Sequence, residues 1–419
     1  MYPTYGGESA LSGDGRYIVF QSSASNLVTG DTNGKRDFFL QDRLTGDVVR
    51  TSVGNGGIEG DNDTVAGTIS QDGNVIAFHS FATNLVLGDT NASAPGGGGG
   101  DIFIYDRLKG ETVRVSVTSL SGTEGTCAVP PAGGLTCSSF DPALTYDGNL
   151  VAFGSTFTNL VSGDTNGMAD IFVHNRVSKF TERVSVGPGG SEADGGSGNP
   201  GMSADGRYVV YESVATNLLG PGNDINGASD IFVYDRLTGI TQLVSKDQGG
   251  NPGNWHSFTP SISGDGKMIA FWSVADNLVA NDTNGVADIF VVDWQSPAPT
   301  MRRVSISESG IEGNGDSRIP VLTSDGRYVV FESEASTLLD GGGDTNGQSD
   351  IFVVDLQGTG INAIKRASVS GTGAEAAGGL SNTPSISANG RFISFTSYAT
   401  NLVDDDTNGV ADVFVTQRP

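Results

Sequence analysis

Residues 261–306 read SISGDGKMIAFWSVADNLVANDTNGVADIFVVDWQSPAPTMRRVSI, and the pattern in this stretch decides the fold. It contains four short apolar runs. Residues 261–263 lead into Asp265-Gly266, residues 268–273 alternate about Phe271, residues 288–292 carry Phe290, and residues 303–306 close the unit. Val, Ile, Phe and Tyr in two-residue alternation suit half-buried strands, and no segment sustains a helical period. Asp-Gly between two apolar runs is a strong hairpin signal. It predicts a type I′ turn, with positive φ at both central residues.

Working outward, the unit recurs seven times. Its turn falls at Asp14-Gly15, Asp72-Gly73, Asp147-Gly148, Asp205-Gly206, Asp265-Gly266, Asp325-Gly326 and, as a variant, Asn389-Gly390, with successive turns 58 to 75 residues apart. Self-similarity at a near-fixed period, with four strands per period, points to radially or linearly stacked sheets. One four-stranded sheet cannot bury both faces alone, whereas sheets arranged radially can. The expected fold is therefore all-β, a seven-bladed β-propeller of four-stranded antiparallel blades. The whole chain, 1–419, is one such domain, with blades at about 9–53, 68–117, 142–186, 199–244, 259–306, 319–369 and 383–419. The seventh unit has a third strand and no fourth. Either residues 2–5 supply that outer strand, or the last blade is incomplete and offers an open edge for self-association.

Composition agrees with a turn-dense β protein: 62 of 419 residues are Gly, about twice average usage. Phe20, Phe78, Phe153, Tyr211, Phe271, Phe331 and Phe395 mark the second strands, and Phe39, Phe103, Phe172, Phe232, Phe290, Phe352 and Phe414 the third. These are assigned to contacts between blades. The formal net charge of −25 repels phosphate backbones, so nucleic acid is not an expected partner. No apolar run reaches the length of a membrane span. Residues 1–5 have neither the basic start nor the apolar run of a secretory leader, so a secreted form would be a mature one. The two cysteines, Cys127 and Cys137, share one loop and are expected to form a disulfide, which implies an oxidising compartment.

The loop between the second and third strands is the most constant stretch. It carries Asp31, Asn33 and Asp37; Asp164, Asn166 and Asp170; Asp224, Asn226 and Asp230; Asp282, Asn284 and Asp288; Asp344, Asn346 and Asp350; and Asp406, Asn408 and Asp412. Blade two keeps Asp89, Asn91 and Asp101 but is split by the insertion 92–100. Oxygen donors at positions 1, 3 and 7 of a Gly-containing turn are what a calcium loop needs. The competing reading is an Asx-turn in which the side chains bond their own backbone. Two carboxylates in one small loop repel unless a cation or a proton neutralises them, which favours Ca²⁺ in some of the loops.

Catalysis finds little support. His79, His174 and His256 hold unrelated positions in the repeat, and no H-E-x-x-H, G-x-S-x-G or C-x-x-C occurs. Glycosidase chemistry needs two acids facing one cavity. The innermost strands, such as 9–12, 200–203, 260–263 and 384–387, present none, and Glu212 and Glu332 are equivalent positions two blades apart.

The S-x-D-G-R-Y-V-V-F strand pair and the D-I-F-V-Y-D-R-x-T-G third strand resemble the WD40-like PD40 repeats of TolB-type bacterial β-propellers. The resemblance covers nearly the whole chain and implies a bacterial envelope or secreted protein. It implies little about activity, because the fold serves scaffolds, lectin-like binders and lyases alike. The expected function is a secreted, cell-surface or periplasmic calcium-stabilised propeller that acts as a non-catalytic binding or assembly module. Its protein or glycan partner would meet the face bearing the inter-blade connectors, where both insertions and both cysteines fall. The alternatives are a structural subunit joined through blade seven and a carbohydrate-active enzyme such as a polysaccharide lyase.

Overall fold

The computed structural model describes residues 9–91, 99–127, 136–358 and 363–419. The expected closing strand at 2–5 and most of the insertion at 92–100 lie outside them. The architecture is the expected one: an all-β, seven-bladed propeller of antiparallel sheets. Six sheets have four strands in sequence order, and the seventh, Ser381–Ile386, Phe392–Ser397 and Asp412–Gln417, has three among the described residues. The chain clusters into two compact units, 1–227 with 232–242 and 228–231 with 243–419. The first holds blades one to three and most of blade four, and the second holds the remainder and blades five to seven.

Each blade is built on a fixed pair of six-residue strands. In blade five these are Met268–Ser273 and Asp288–Asp293, paired residue for residue so that Phe271 faces Phe290. The equivalent rings stack at 5.7–6.0 Å in all seven blades. Stacked aromatic pairs directly opposite across two strands stabilise a sheet beyond their area alone. Four of the pairs are seen where the sequence placed them, between blades. Phe78 and Phe103 of blade two pack on Val19, Phe38 and Leu40 of blade one. Phe153 and Phe172 of blade three cover Ile102 and Ile104 of blade two. In the second unit, Phe331 and Phe352 of blade six cover Ile289 and Val291 of blade five, and Phe395 of blade seven covers Val330, Ile351 and Val353 of blade six.

The Asp-Gly turn differs from the expected type I′. Only the glycine of each pair has positive φ, between 66° and 75°. In blade one, Gly15 N–H donates to the Ser12 carbonyl at 2.9 Å, which makes a type I turn followed by a left-handed glycine. The Asp is there for its side chain. Asp14 Oδ1 accepts from the Ser12 hydroxyl and from Arg16 N–H, and this pair of bonds recurs in every blade, at 2.6–2.8 Å and 2.9–3.0 Å. Asn389 serves equally because the turn needs only an acceptor oxygen.

Two strand boundaries also move. The first strand of blade five starts at Ser257, four residues before the sequence reading, because a bulge lets the strand pass a proline. The residue before that proline, Thr259, takes φ +49°, and Asp141, Asn199, Ile319 and Thr383 do the same before Pro142, Pro200, Pro320 and Pro384. The fourth strand shortens to Arg302–Arg303, and the chain runs on into a small connector hairpin that bridges Ile306 to Glu312. Equivalent hairpins bridge Val53 to Glu59, Val117 to Glu124, Val186 to Glu192 and Val369 to Glu375. In the first unit they lie along the outer strand of the next blade. Thr112, Thr181 and Thr241 hydroxyls donate to the Val53, Val117 and Val186 carbonyls. An outer strand so covered is no template for foreign pairing.

Candidate functional site: acidic loops and the arginines that fill them

In blade one, the Asn33 amide donates to Asp37 Oδ2 at 2.9 Å and to the Gly60 carbonyl, and its Oδ1 accepts from Lys35 N–H. This is the Asx-turn of the competing reading. Asp37 opens the third strand fully buried, and its Oδ1 takes a hydrogen bond from the Ser52 hydroxyl at 2.6 Å. The Asn-to-Asp bond recurs from Asn91, Asn166, Asn284, Asn346 and Asn408 to Asp101, Asp170, Asp288, Asp350 and Asp412. The serine bond recurs from Ser116, Ser185, Ser245, Ser305 and Ser368 to the strand aspartates, Asp230 included. Thr32 adds a clamp, with its N–H and hydroxyl both donating to Glu59 of the connector hairpin. Thr90, Thr165, Thr283 and Thr345 hold Glu124, Glu192, Glu312 and Glu375 the same way.

At the centre of these carboxylates sits a guanidinium from the fourth strand. Arg50 Nη1 lies 3.2 Å from Asp31, 3.2 Å from Asp37 and 2.7 Å from Glu59. Arg114 meets Asp89, Asp101 and Glu124 at 3.3, 3.3 and 2.8 Å. Arg183 meets Asp164, Asp170 and Glu192 at 3.2, 3.3 and 3.0 Å. Arg303 does the same with Asp282, Asp288 and Glu312, and Arg366 with Asp344, Asp350 and Glu375. The five arginine side chains are only 7–9% exposed. A buried charge so surrounded is held by charge-assisted hydrogen bonds, and breaking one partner exposes the rest to a large desolvation cost.

One guanidinium among three carboxylates leaves negative charge uncompensated. Asp89 and Asp164 are pushed up to about 7, and Asp282 and Asp344 to about 6; burial leads at all four, with the charge of the neighbouring strand aspartate also raising them. Glu59 and Glu312 go the other way, to about 2, first through the Thr32 and Thr283 hydroxyls and then with help from the arginines. Asp89, Asp101 and Glu124 bring one oxygen each within 4.8 Å of one another, as do Asp344, Asp350 and Glu375, so either trio could hold a metal ion. In both trios the arginine already supplies positive charge.

Two loops lack that arrangement. In blade four, Leu243 and Pro252 stand in sequence where the arginine and glutamate stand elsewhere, and Ile225 replaces the clamping threonine. In blade seven, Asp406 and Asp412 are partly exposed, and no fourth strand is present among the described residues. The expected Cys127–Cys137 disulfide is present, with residues 128–135 of its loop outside the described part.

The arginines and glutamates are what the sequence reading missed. They had a signal: Arg50 and Glu59, Arg183 and Glu192, Arg303 and Glu312, and Arg366 and Glu375 are each nine residues apart, and Arg114 and Glu124 ten. A second omission is an acid on an innermost strand. Asp141, at the bulge of Ser139–Leu144, has a buried Oδ1 without a hydrogen-bond partner. Burial, and then the charge of Glu212 on Tyr208–Ser213, push it up to about 7. The histidines occupy separate local settings. His79 is buried with neither ring nitrogen bonded, His174 Nδ1 meets the Thr181 hydroxyl at 2.9 Å, and His256 Nδ1 accepts from Ser229 N–H.

No family model matches the chain, and no curated protein does. Solved structures do. An oligogalacturonate lyase from Vibrio parahaemolyticus is 12% identical over 99% of this chain and 89% of its own, with a TM-score of 0.53. A prolyl endopeptidase structure is 13% identical over 98% of this chain and 46% of its own, also at 0.53. TolB from Acinetobacter baumannii is 15% identical over 93% of this chain and 79% of its own, at 0.42. At such identities the likeness is one of fold.

Proposed function

We propose that this protein is an extracytoplasmic binding module, secreted, cell-surface or periplasmic, that works without catalysis and uses calcium to complete loops that lack an arginine. The observation that carries the reading is the latch. Arg, Thr and Asn side chains spend the acids of five loops on pinning the connector hairpins to the blades. That is the requirement of a rigid recognition surface, whose loops must not pay an ordering cost on binding. Exposed apolar side chains on the connector hairpins, Ile58 and Leu120, supply contact points for a protein or glycan. The disulfide supports an oxidising location, and no helix is long and apolar enough to cross a membrane among the described residues.

The test is to probe glycan and peptide arrays with the full chain and to analyse the bound ligands for chemical change. Expected are ligands that remain intact and are lost from Ile58→Asp and Leu120→Asp variants. A specific observation favours one rival: burial, and then the charge of the neighbouring Glu212, push the Asp141 carboxyl up to about 7. Cleavage of a polyuronide that disappears in Asp141→Asn would replace the non-catalytic reading with a lyase or hydrolase one.

A further inference from the structure

Five of the loops bring a cation to their first aspartate, and the cation is always the repeat's own arginine, at 2.7 to 3.7 Å. Blade four departs from this in three places at once. The arginine position holds Leu243, the glutamate position Pro252 and the threonine position Ile225. The three losses are chemically consistent. Without the glutamate the threonine has nothing to donate to, and without the acid the arginine loses its strongest partner. The aspartate is nevertheless retained.

Asp224 is only 4% exposed. Its carboxylate accepts from Asn226 N–H, but its Oδ1 is buried without a hydrogen bond, as Asp164 Oδ1 is; unlike Asp164, it has no ion pair among the described residues. The Asp194 carboxylate, itself held by Thr216, adds repulsion from the connector. A buried carboxylate oxygen with no partner is expensive, and a protein retains one where something outside the chain compensates it. Ile225, the next residue, is 80% exposed, so the turn is open to solvent on that side. A soluble ion would have a path in, and water would be at hand for its remaining coordination positions.

We propose that the blade-four turn at Asp224–Asn226 is a calcium site, in which a soluble divalent cation bound to the Asp224 carboxylate replaces the arginine that the other blades build in. The chemistry fits a hard cation: a carboxylate oxygen, a Gly227 that lets the turn close, and water for the other positions. This deepens the calcium part of the proposed function and rests on it.

The test is calcium binding to the chelator-stripped full chain by titration calorimetry, with wild type, Asp224→Asn and Asp282→Asn compared. Expected is at least one ion per wild-type chain, a loss of one ion in Asp224→Asn, and no loss in Asp282→Asn, whose loop has Arg303. Equal binding by wild type and Asp224→Asn would overturn the site while leaving calcium elsewhere. No binding by wild type at millimolar Ca²⁺ would overturn both. Because Asp224→Asn could fold poorly, a second variant leaves the carboxylate intact. Ile225→Trp places an indole beside the ion, so Tb³⁺ emission excited through tryptophan should rise well above wild type and fall again with Ca²⁺. No gain over wild type would likewise refute the assignment.

Discussion

Blade three and blade four begin their loops alike, Asp164-Thr-Asn166-Gly and Asp224-Ile-Asn226-Gly, and solve the same electrostatic problem differently. Blade three neutralises Asp164 and Asp170 with Arg183 and ties that arginine to Glu192. Blade four has no such arginine in its sequence, and Asp224 is buried with no ion pair among the described residues. The difference teaches that two acids and an Asn are the constant part of the repeat, while the arginine that neutralises them is not. An arginine makes the loop independent of solvent composition.

The largest expected effect comes from making blade three resemble blade four. Arg183→Leu leaves Asp164, Asp170 and Glu192 without their positive charge in a nearly buried setting. Removing one partner of a buried pair costs about 3–5 kcal/mol, so urea unfolding should show a midpoint far below wild type. Calcium should recover part of the loss if the vacancy accepts a soluble ion. A shift of under 1 kcal/mol would mean that the guanidinium is ornamental and that serine and asparagine hold the aspartates alone.

Next in size is the dependence of stability on pH. Asp89 and Asp164 sit at about 7 and Asp282 and Asp344 at about 6 in the folded protein, against about 3.9 for an unfolded aspartate. The folded state therefore binds these protons more tightly. The stabilisation from protonation is fully present below the unfolded value and is lost as pH rises through 6 to 7. Glu59, Glu192, Glu312 and Glu375, at about 2, act oppositely: their contribution is present above about 4.3 and is lost as pH falls through 2. Tm should be highest near pH 4, decline as pH rises to about 7 and level off above it. Asp164→Asn should flatten the decline, and a Tm rising steadily from pH 5 to 8 would contradict the assignment of the raised groups.

A smaller effect isolates the clamp. Thr165→Ile copies Ile225 into blade three. It removes a hydroxyl bond to Glu192 of 2.6 Å, while the Thr165 N–H bond remains. One hydrogen bond to a charged group near the surface should cost about 1 kcal/mol. The loss should vanish when Arg183→Leu is already present, because the glutamate is then no longer held in place. Additivity of the two in a double-mutant cycle would show the clamp and the arginine to be independent.

How far these loops could be read from sequence follows from the range of their bonds. The second and third strands pair residue for residue because period-two alternation and a local turn fix their register, so the Phe271–Phe290 type of pair was legible as core. The Asx-turn was legible because the bonds that make it reach only two and four residues from Asn33. The latch was not, because Arg50 and Glu59 come from the fourth strand and the connector, 13 and 22 residues beyond Asp37. Reading each loop as a closed seven-residue motif left its cation to be found in solution. Asp141 escaped because, among the described residues, blades four to seven have Asn199, Thr259, Ile319 and Thr383 at that bulge and no acid. A position that varies among repeats carries no period to find it by.

The smallest expected effect concerns the turn that organises the repeat, and it sharpens the same contrast between a position's charge and its oxygen. Asn389 occupies the place of six aspartates, and its Oδ1 accepts from the Ser387 hydroxyl at 2.8 Å and from Arg391 N–H at 2.9 Å. Asp325 in blade six makes the same two bonds at 2.6 and 3.0 Å. The turn thus uses one acceptor oxygen, which both side chains provide. Asn389→Asp should change stability by no more than about 0.5 kcal/mol at neutral pH, within the range of ordinary surface substitutions. Asn389→Ala should cost about 1 kcal/mol, because it leaves the Ser387 hydroxyl and the Arg391 N–H without their acceptor. If Asn389→Asp proved strongly stabilising, charge and not the acceptor would be what the repeat selects at this turn. The latch loops, where replacing an acid by its amide should matter most, would then no longer be the distinct case.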